Sequence, residues 1–239
     1  MSWIHQLAPG GTLRVCINTG NAMLAQQDPH THELHGISVL LAQRLAHTYK
    51  LRLHTVLVGT AKASVAAVAN KEADIGFFAI DPERAKDVHF TRAYVYIDAC
   101  YMTRKASGLR SLPDIDQAGV RIVVGAGSAY DLFLSRHVQH ATLIRAASTP
   151  DVVPLFVDQG YEVAAGLQQA LNEAVQAHPE WALVMPPFMA IPQAIGCHPK
   201  HSDTVKAGLQ AFIEDELKAG HISHSIAQHN LIGVRASDV

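Results

Sequence analysis

The stretch "DIGFFAIDPERAKDVHFTRAY", residues 74–94, decides the fold. Its first six residues, apolar except for Asp74, predict a buried strand, and Asp-Pro-Glu-Arg follows one residue beyond the strand. An arginine just beyond a strand end is either a solvent-exposed charge, paired with Glu83 or Asp87, or a clamp that binds a carboxylate. The segments on either side bear on which of these roles Arg84 has.

Short β-rich runs alternate with helical patterns up to this stretch. The predicted elements are strand "LRVCIN" (13–18), helix "ISVLLAQRLAHTY" (37–49), strand "LRLHTVLV" (51–58), helix "ASVAAVANKEA" (63–73) and strand "DIGFFA" (74–79). This β-α-β-α-β order favours an α/β fold with a parallel sheet and right-handed crossovers.

A long extended segment, "YVYIDACYMTRK" (94–105), leads to a second alternating set. Its elements are strand "VRIVVG" (120–125), helix "SAYDLFLSRHV" (128–138), strand "ATLIRA" (141–146), helix "TPDVVPLFVDQ" (149–159), strand "EVAAG" (162–166), helix "LQQALNEAVQA" (167–177) and strand "ALVM" (182–185). A final helix is predicted from the N-cap Ser202 to the stop Gly220. Two α/β sets joined by an extended segment predict two lobes.

The composition excludes several classes of protein. The 239 residues are 49% hydrophobic and 17% charged, with a formal net charge of −2 and 6% aromatic residues. There is therefore no basic field for nucleic acid and no aromatic platform for base stacking. No run reaches the roughly 18 apolar residues of a membrane helix. The N-terminus "MSWIHQLAPGGTLRV" lacks a cationic start followed by an apolar core, so we expect no signal peptide in this chain.

The cysteines and histidines do not form convincing metal sites. Cys16, Cys100 and Cys197 are odd in number and widely spaced, so we expect small core residues rather than disulfides or metal ligands. "DPHTHELHG" (28–36) is more typical of a hairpin tip than of zinc ligands, and the histidine spacing in "GHISHSIAQH" (220–229) is poor for one helical face. The sequence therefore predicts no metal and no cofactor.

The ordered set of motifs resembles a known family. "GTLRVCINTGN", "HELHGISVLLAQRLA" and "ANKEADIGFFAIDPERAKDVHFTRAYV" are similar, in this order, to the solute-binding proteins of ABC importers, family 3, the polar amino-acid-binding group. The similarity extends over nearly the whole chain, including "PQAIGCHPKHSD" (192–203).

This resemblance implies a two-lobed type II periplasmic-binding-protein fold of class α/β. Each lobe would be a mainly parallel sheet flanked by helices, with two hinge crossovers and the ligand between the lobes. Lobe 1 would comprise residues 1–94 plus 192–239, and lobe 2 residues 95–191. The implied function is non-catalytic capture of a small carboxylate-bearing solute, an amino acid or a similar compound, for a membrane permease.

The resemblance also assigns candidate ligand-binding residues in the first lobe. Arg84 matches the family arginine that binds the ligand carboxylate, which suits a planar guanidinium with two parallel donors. Main-chain contacts are expected nearby at Ala79, Ile80 and Asp81, although the segment before Glu-Arg is shorter than in many relatives. Asn18 is either a ligand contact or a strand-end turn residue.

In the second lobe, "GAGSAYD" (125–131) predicts a helix that begins near Ser128. The free amides of a helix N-terminus suit a carboxylate, so Gly127, Ser128 and Ala129 are candidates. Tyr94, in the first lobe, and Tyr130 either line the site or pack in the core. Lys62 stands where relatives often carry an aromatic residue.

One feature departs from the family pattern. Amino-acid binders place an aspartate after the strand that corresponds to "EVAAG", where it neutralises the ligand ammonium, whereas this chain has Gly166, Leu167 and Gln168. A buried ammonium without a counter-charge is costly. The implied ligand is therefore a small carboxylate without a free amine, or one that is recognised by amides such as Gln168 and Gln193.

Two further functions stay open at this point. Relatives on the same fold include dehydratases that act on prephenate or arogenate, and Glu162 and Glu173 are the carboxylates available for acid chemistry, although they form no paired constellation. The third possibility is a cytoplasmic ligand sensor. By resemblance we expect a monomer that is located in the periplasm, with the cytoplasm as the alternative.

Overall fold

The computed structural model describes residues 2–238, which form two compact units. The first unit comprises residues 2–96, 192–231 and 235–238, and the second comprises residues 97–191 and 232–234. The predicted lobes, 1–94 plus 192–239 and 95–191, remain a prediction as a division into moving parts.

Nine α-helices lie in the described part of the chain, most of them separated by strands. They are α1 (Trp3–Leu7), α2 (Ile37–Thr48), α3 (Ala61–Ala69), α4 (Leu112–Ile115), α5 (Ala129–His137), α6 (Val152–Asp158), α7 (Gln168–Ala177), α8 (Asp203–Lys218) and α9 (His221–Gln228). Short 3₁₀ helices lie at Arg84–Lys86 and Lys105–Ser107.

The strands alternate with these helices over much of the chain. They are β1 (Thr12–Asn18), β2 (Gln26–Gln27), β3 (Leu34–His35), β4 (Arg52–Val58), β5 (Ile75–Ala79), β6 (His89–Phe90), β7 (Val95–Arg104), β8 (Arg121–Gly125), β9 (Thr142–Ala146), β10 (Val163–Leu167), β11 (Trp181–Cys197) and β12 (Val234–Ala236).

The sheet of the first unit is built around β1. This strand pairs in parallel with β4 over its whole length and with β5 on its other side. The last residues of β11 run antiparallel to β5, with Gln193 opposite Ala79. Val15, Cys16 and Ile17, whose side chains alternate between the two faces of the sheet, are at most 1% exposed, as expected for a strand covered on both faces.

The sheet of the second unit repeats this plan around β8. This strand pairs in parallel with β9 and β10, and β10 runs antiparallel to β7. Helix α6 covers the sheet, and its Phe156 packs edge-on against Trp181 with ring centroids 5.5 Å apart. Parallel strands with helical crossovers therefore form the core of each unit.

Most predicted elements are confirmed, with ends shifted by a few residues. "ALVM" is only the start of the 17-residue strand β11. Helices α1 and α9 are short and were not predicted from the sequence, and neither were the still shorter elements α4, β6 and β12. The final helix begins as predicted, because the Ser202 hydroxyl accepts the Val205 amide at 3.3 Å, and Gly220 follows it with φ of +74°.

The hairpin predicted within residues 28–36 is confirmed as the antiparallel pair β2–β3. The Asp28 carboxylate accepts the amides of His30 and Thr31 at 2.8 and 2.7 Å and so closes the turn. The three cysteines are unpaired and buried, as predicted for core residues. Among the residues described, no helix is long and apolar enough to span a membrane.

The contact between α1 and α8 depends on the absence of a side chain at Gly208. A Cβ atom there would lie 2.2 Å from Cδ2 of Trp3, well inside contact distance. We expect Gly208→Ala to lower the free energy of unfolding by about 1–3 kcal/mol, because overpacking outweighs the gain in helix propensity. Urea denaturation monitored by circular dichroism measures this difference.

The matched background is Trp3→Ala, which removes the obstructing ring. In that background Gly208→Ala should raise stability by up to about 1 kcal/mol, the usual advantage of alanine in a helix. The same sign in both backgrounds would contradict the packing explanation.

Candidate functional site

The candidate residues of the first unit lie at the carboxyl ends of its parallel strands. Asn18 is the last residue of β1, and Ala79 is the last residue of β5. The chain then continues through Asp81 to Arg84, which begins a 3₁₀ helix. Since β1 and β5 are parallel neighbours, their carboxyl ends meet at one edge of the sheet, which is where α/β proteins commonly bind ligands.

Arg84 is buried, with only 7% of its surface exposed. Its Nη1 donates a hydrogen bond to the carbonyl oxygen of Ala79 at 3.2 Å. Burial lowers the pKa of the guanidinium from its ordinary value, and the charge of Asp81 acts in the opposite direction. The exposed-charge alternative is therefore wrong, and Glu83 pairs instead with Lys86 at 2.6 Å.

The loop that carries Arg84 is held by main-chain hydrogen bonds. The Ile80 amide donates to the carbonyl oxygen of Pro192 at 2.8 Å, and the Asp81 carboxylate accepts the Glu83 amide at 2.9 Å. Gln193, next to Pro192, is buried at 3% exposure. The Ile80 amide is thus already bonded within the unit. Arg84 follows β5, and Gln193 lies on β11, the strand that pairs with the end of β5.

The other first-unit candidates have different surroundings. The Asn18 side-chain oxygen accepts the Gly20 amide at 3.0 Å, which is the turn role considered above. Tyr94 has no exposed surface; its hydroxyl lies 3.4 Å from that of Ser38, and its ring packs edge-on against Phe77. Lys62 is exposed on α3. Ligand contact by Asn18, Tyr94 or Lys62 stays a prediction.

In the second unit, the loop after β8 forms the N-terminus of α5. Ser128 is the N-cap, and its hydroxyl accepts the Asp131 amide at 3.1 Å. The Ser128 amide donates to the carbonyl oxygen of Gly125 at 3.0 Å. The amides of Ala129 and Tyr130 belong to the first turn of the helix and have no intrahelical acceptor. They can therefore donate to a group bound at the helix N-terminus.

A carboxylate of the protein already occupies part of this loop. Asp131 is buried at 4% exposure and accepts the Gly127 amide at 2.8 Å. Arg145 lies 3.1 Å from this carboxylate, and the Ser135 hydroxyl donates to it at 3.2 Å. The sequence analysis missed the pair, although Ser-x-x-Asp before an apolar run is a signal for a helix N-terminus. The negative charge in the loop is thus balanced by Arg145.

The loop after β9 lies directly against the end of β8. A Cβ atom at Gly125 would be 2.9 Å from Cα of Thr149 and 3.0 Å from both the Thr149 and Tyr130 hydroxyl oxygens. Thr149 was not identified from the sequence, because its proximity to Gly125 depends on the pairing of β8 with β9. Two hydroxyl groups therefore lie beside the N-terminus of α5.

Gln168 lies beside the turn that precedes β12, and the candidate carboxylates Glu162 and Glu173 are both bonded within the protein. Gln168 is the first residue of α7, and its Oε1 lies 2.6 Å from the position of a Cβ atom at Gly233. Glu162 is bound to Arg121 at 2.5 Å, and this bond is the main reason why the pKa of the Glu162 carboxyl is lowered. Glu173 accepts a hydrogen bond from Gln169 at 3.1 Å.

The arrangement does not suggest a metal site. Within residues 2–238, no group of three or more His, Cys, Asp or Glu side chains is placed to hold a metal ion. Two other features could bind a solute: the buried guanidinium of Arg84 in the first unit, and the hydroxyl-rich N-terminus of α5 in the second. Both suit hydrogen bonds to an oxygen-bearing, anionic solute.

The chain belongs to the bacterial extracellular solute-binding proteins, family 3, whose family model matches residues 13–230. This assignment confirms the family that the sequence motifs resembled. Most members of this family bind solutes without catalysis. Among curated proteins, no relative of the chain is found.

Solved structures share the fold at low sequence identity. The solute receptor for L-cysteine of Neisseria gonorrhoeae is 15% identical, with all of both chains covered and a TM-score of 0.81. A putative ABC-transporter binding component from Wolinella succinogenes, complexed with lysine, is 18% identical over 92% of this chain and 95% of that one, with a TM-score of 0.77.

A third structure is an ancestral amino-acid-binding protein described as a precursor of cyclohexadienyl dehydratase. It is 16% identical, covers 95% of this chain and 99% of its own, and has a TM-score of 0.78. These similarities confirm the predicted type II periplasmic-binding-protein fold.

The close approach of Thr149 to Gly125 is testable. We expect Gly125→Ala to lower the free energy of unfolding by about 1–3 kcal/mol, because the new Cβ must displace the backbone of Thr149. Chemical denaturation measures this change. The control is Gly10→Ala, whose Cβ would meet no described atom within 4 Å and should change stability by less than about 0.5 kcal/mol. Equal effects of the two substitutions would contradict the steric explanation.

Proposed function

We propose that this chain is the solute-binding component of an ABC importer and captures a small carboxylate-bearing solute, an amino acid or a similar compound. The observation that carries the proposal is the buried guanidinium of Arg84 at the carboxyl end of β5, in a chain of a solute-binding family. The neighbours named for L-cysteine and lysine support a solute of amino-acid size.

Burying a charged group costs free energy unless hydrogen bonds and an opposite charge compensate it. A guanidinium that is taken out of water loses hydration, and a carboxylate placed against it restores two charge-assisted hydrogen bonds. In the second unit, the amides of the first turn of α5 and the Ser128 hydroxyl are donors that suit a carboxylate oxygen in the same way. In this proposal Gln168 and Gln193 contact the remainder of the solute.

The partner and the compartment follow from the same proposal. A binding component delivers its solute to a membrane permease, so we propose that the protein acts outside the cytoplasmic membrane, as a monomer. The dehydratase alternative has less support, because acid catalysis needs a carboxyl that holds its proton near neutral pH. The bond to Arg121 lowers the pKa of Glu162 and therefore favours the deprotonated carboxylate at neutral pH.

The role of Arg84 is tested with a thermal-shift panel. The probes are L-cysteine, L-lysine and L-arginine, each with its amine-free partner, meaning the same acid without the α-amine (3-mercaptopropionate, 6-aminohexanoate and 5-guanidinovalerate), together with prephenate. A bound probe at about 100 times its Kd adds about 2.7 kcal/mol to the apparent stability of the wild-type protein. Arg84→Met should abolish this shift, and Arg84→Lys should reduce it, because lysine lacks the two parallel donors.

Lys86→Met is the matched control, since Lys86 is exposed and pairs only with the nearby Glu83 in the same turn. It should keep the full ligand-induced shift. Melting of the unliganded variants shows whether they are folded. Equal shifts in the wild-type and Arg84→Met proteins would remove Arg84 from the site, and turnover of prephenate would replace the transport proposal with an enzyme.

The residues at 166–168 lead to a proposal about selectivity. We propose that the absence of a carboxylate there makes the protein prefer the amine-free member of each probe pair. Gln168→Asp should reverse the preference by about tenfold or more, because a close counter-charge stabilises a buried ammonium. Isothermal titration calorimetry of both members of a pair measures the ratio of their Kd values.

Gln168→Asn is the control for side-chain length, because it shortens residue 168 as aspartate does and adds no charge. It should leave the preference within about twofold of the wild type, a change of less than about 0.5 kcal/mol. Tighter binding of an L-amino acid than of its amine-free partner by the wild-type protein would contradict the proposal.

A further inference from the structure

The hydroxyl group of Tyr130 is buried without a hydrogen-bond partner. Its oxygen has essentially no exposed surface, and it makes no hydrogen bond in the part of the chain that the structure describes. The residue as a whole is 2% exposed. Buried hydroxyl groups are normally paired, because leaving one unpaired costs the free energy of its lost hydration. An unpaired hydroxyl in a candidate site therefore points to a pairing that is incomplete without a bound solute.

The neighbours of this hydroxyl show where the acceptor would be. The Tyr130 oxygen lies beside the hydroxyls of Thr149 and Ser128 and the backbone of Gly125, but with none of them in aligned hydrogen-bond geometry. Thr149 and Tyr130 both reach within 3.0 Å of the position of a Cβ atom at Gly125. The phenol is therefore directed at the end of β8, immediately before the N-terminus of α5.

The groups around this point can all donate hydrogen bonds. Burial raises the pKa of the Tyr130 phenol, so it keeps its proton at neutral pH. Ser128 accepts the Asp131 amide and can still donate its own proton. The carboxylate of Asp131 is held by Arg145, Ser135 and Gly127, and so it is not directed at Tyr130. A carboxylate oxygen is the solute group that matches such a set of donors.

We propose that Thr149 is a further solute-binding residue and that Tyr130 positions it. The Thr149 hydroxyl donates to a carboxylate oxygen of the solute at the N-terminus of α5, and the Tyr130 hydroxyl donates to the Thr149 oxygen. A hydroxyl that donates to an anion becomes a better acceptor, so solute binding completes the pairing of Tyr130. This inference rests on the proposed function and adds two residues to its site.

The test compares Thr149→Val with Thr149→Ser, because valine has the shape of threonine without its hydroxyl and serine keeps the hydroxyl. Kd is measured by calorimetry for the probe pairs named above. Thr149→Val should weaken binding about tenfold for both members of a pair, the usual effect of losing a hydrogen bond to a charged group. Thr149→Ser should restore affinity to within about threefold of the wild type.

Tyr130→Phe tests the positioning role separately. It should weaken binding about threefold, and adding it to Thr149→Val should cause no further loss beyond about twofold, because Tyr130 acts through Thr149. The unliganded Tyr130→Phe protein should melt at the wild-type temperature or above it, since the hydroxyl that is removed has no partner. A merely structural hydroxyl would instead lower the melting temperature and leave Kd unchanged.

The failures of the inference and of the proposed function are distinguishable. Probe binding that is lost in Arg84→Met but unchanged in Thr149→Val overturns the inference and leaves the proposed function intact. Absence of binding by the wild-type protein across the panel overturns both. A weakening by Thr149→Val that affects only one member of a pair also contradicts the inference, because a carboxylate contact acts on every probe alike.

Discussion

Parallel pairing of the central strands places most loops that carry a candidate residue, those of Gln193 and Tyr94 excepted, at the same kind of position. In the first unit, β1 and β5 end at Asn18 and Ala79, and in the second, β8 and β10 end at Gly125 and Leu167. The carboxyl ends of parallel neighbours lie at one edge of a sheet, and helices α3, α5 and α7 begin within four residues of the ends of β4, β8 and β10. Helix N-termini, and the amides they leave unpaired, are thereby concentrated at that edge of each unit.

The polar groups at these edges are not equally available to a solute. Several are already bonded within the protein: the Ile80 amide to Pro192, the Gly127 amide to Asp131, and the Asn18 side chain to Gly20. These bonds hold the loops in place before a solute arrives, which lowers the entropy that binding must overcome. The guanidinium of Arg84 is bonded as well, through Nη1 to the Ala79 carbonyl oxygen, and like the hydroxyls around Tyr130 it is a hydrogen-bond donor. Hydrogen-bond donors of this kind suit an anionic group.

Selectivity within such a site depends on what accompanies the carboxylate. An amino acid brings an ammonium group that needs an acceptor or a negative charge, whereas an amine-free acid does not. Of the acidic residues close to Gln168 in sequence, Glu162 is bound to Arg121 and Glu173 to Gln169. The solved structures of similar fold carry names that refer to amino acids, but at 15–18% identity they establish the fold alone. The solute class of this chain therefore has to be derived from its own residues.

The sequence by itself determined the alternating α/β plan and the family, and it predicts Arg84 as a binding residue. These depend on local information: apolar runs of strand length, helical periodicity, and a motif whose residues are adjacent in the chain. The same reasoning found the N-cap Ser202 and the hairpin at residues 28–36, both of which are confirmed. It missed α1 and α9, because five to eight residues give too few turns for a clear period.

Only the tertiary structure decided the burial of Arg84, the Asp131–Arg145 pair and the position of Thr149. Arg145 lies 14 residues beyond Asp131, and Thr149 lies 24 residues beyond Gly125; the pairing of β8 with β9 brings both to the N-terminus of α5. Strand register fixes which side chains meet, and a single sequence carries no direct record of register between strands separated by a helix. That the Tyr130 hydroxyl is unpaired can be recognised only in the folded protein, because residues distant in sequence surround it.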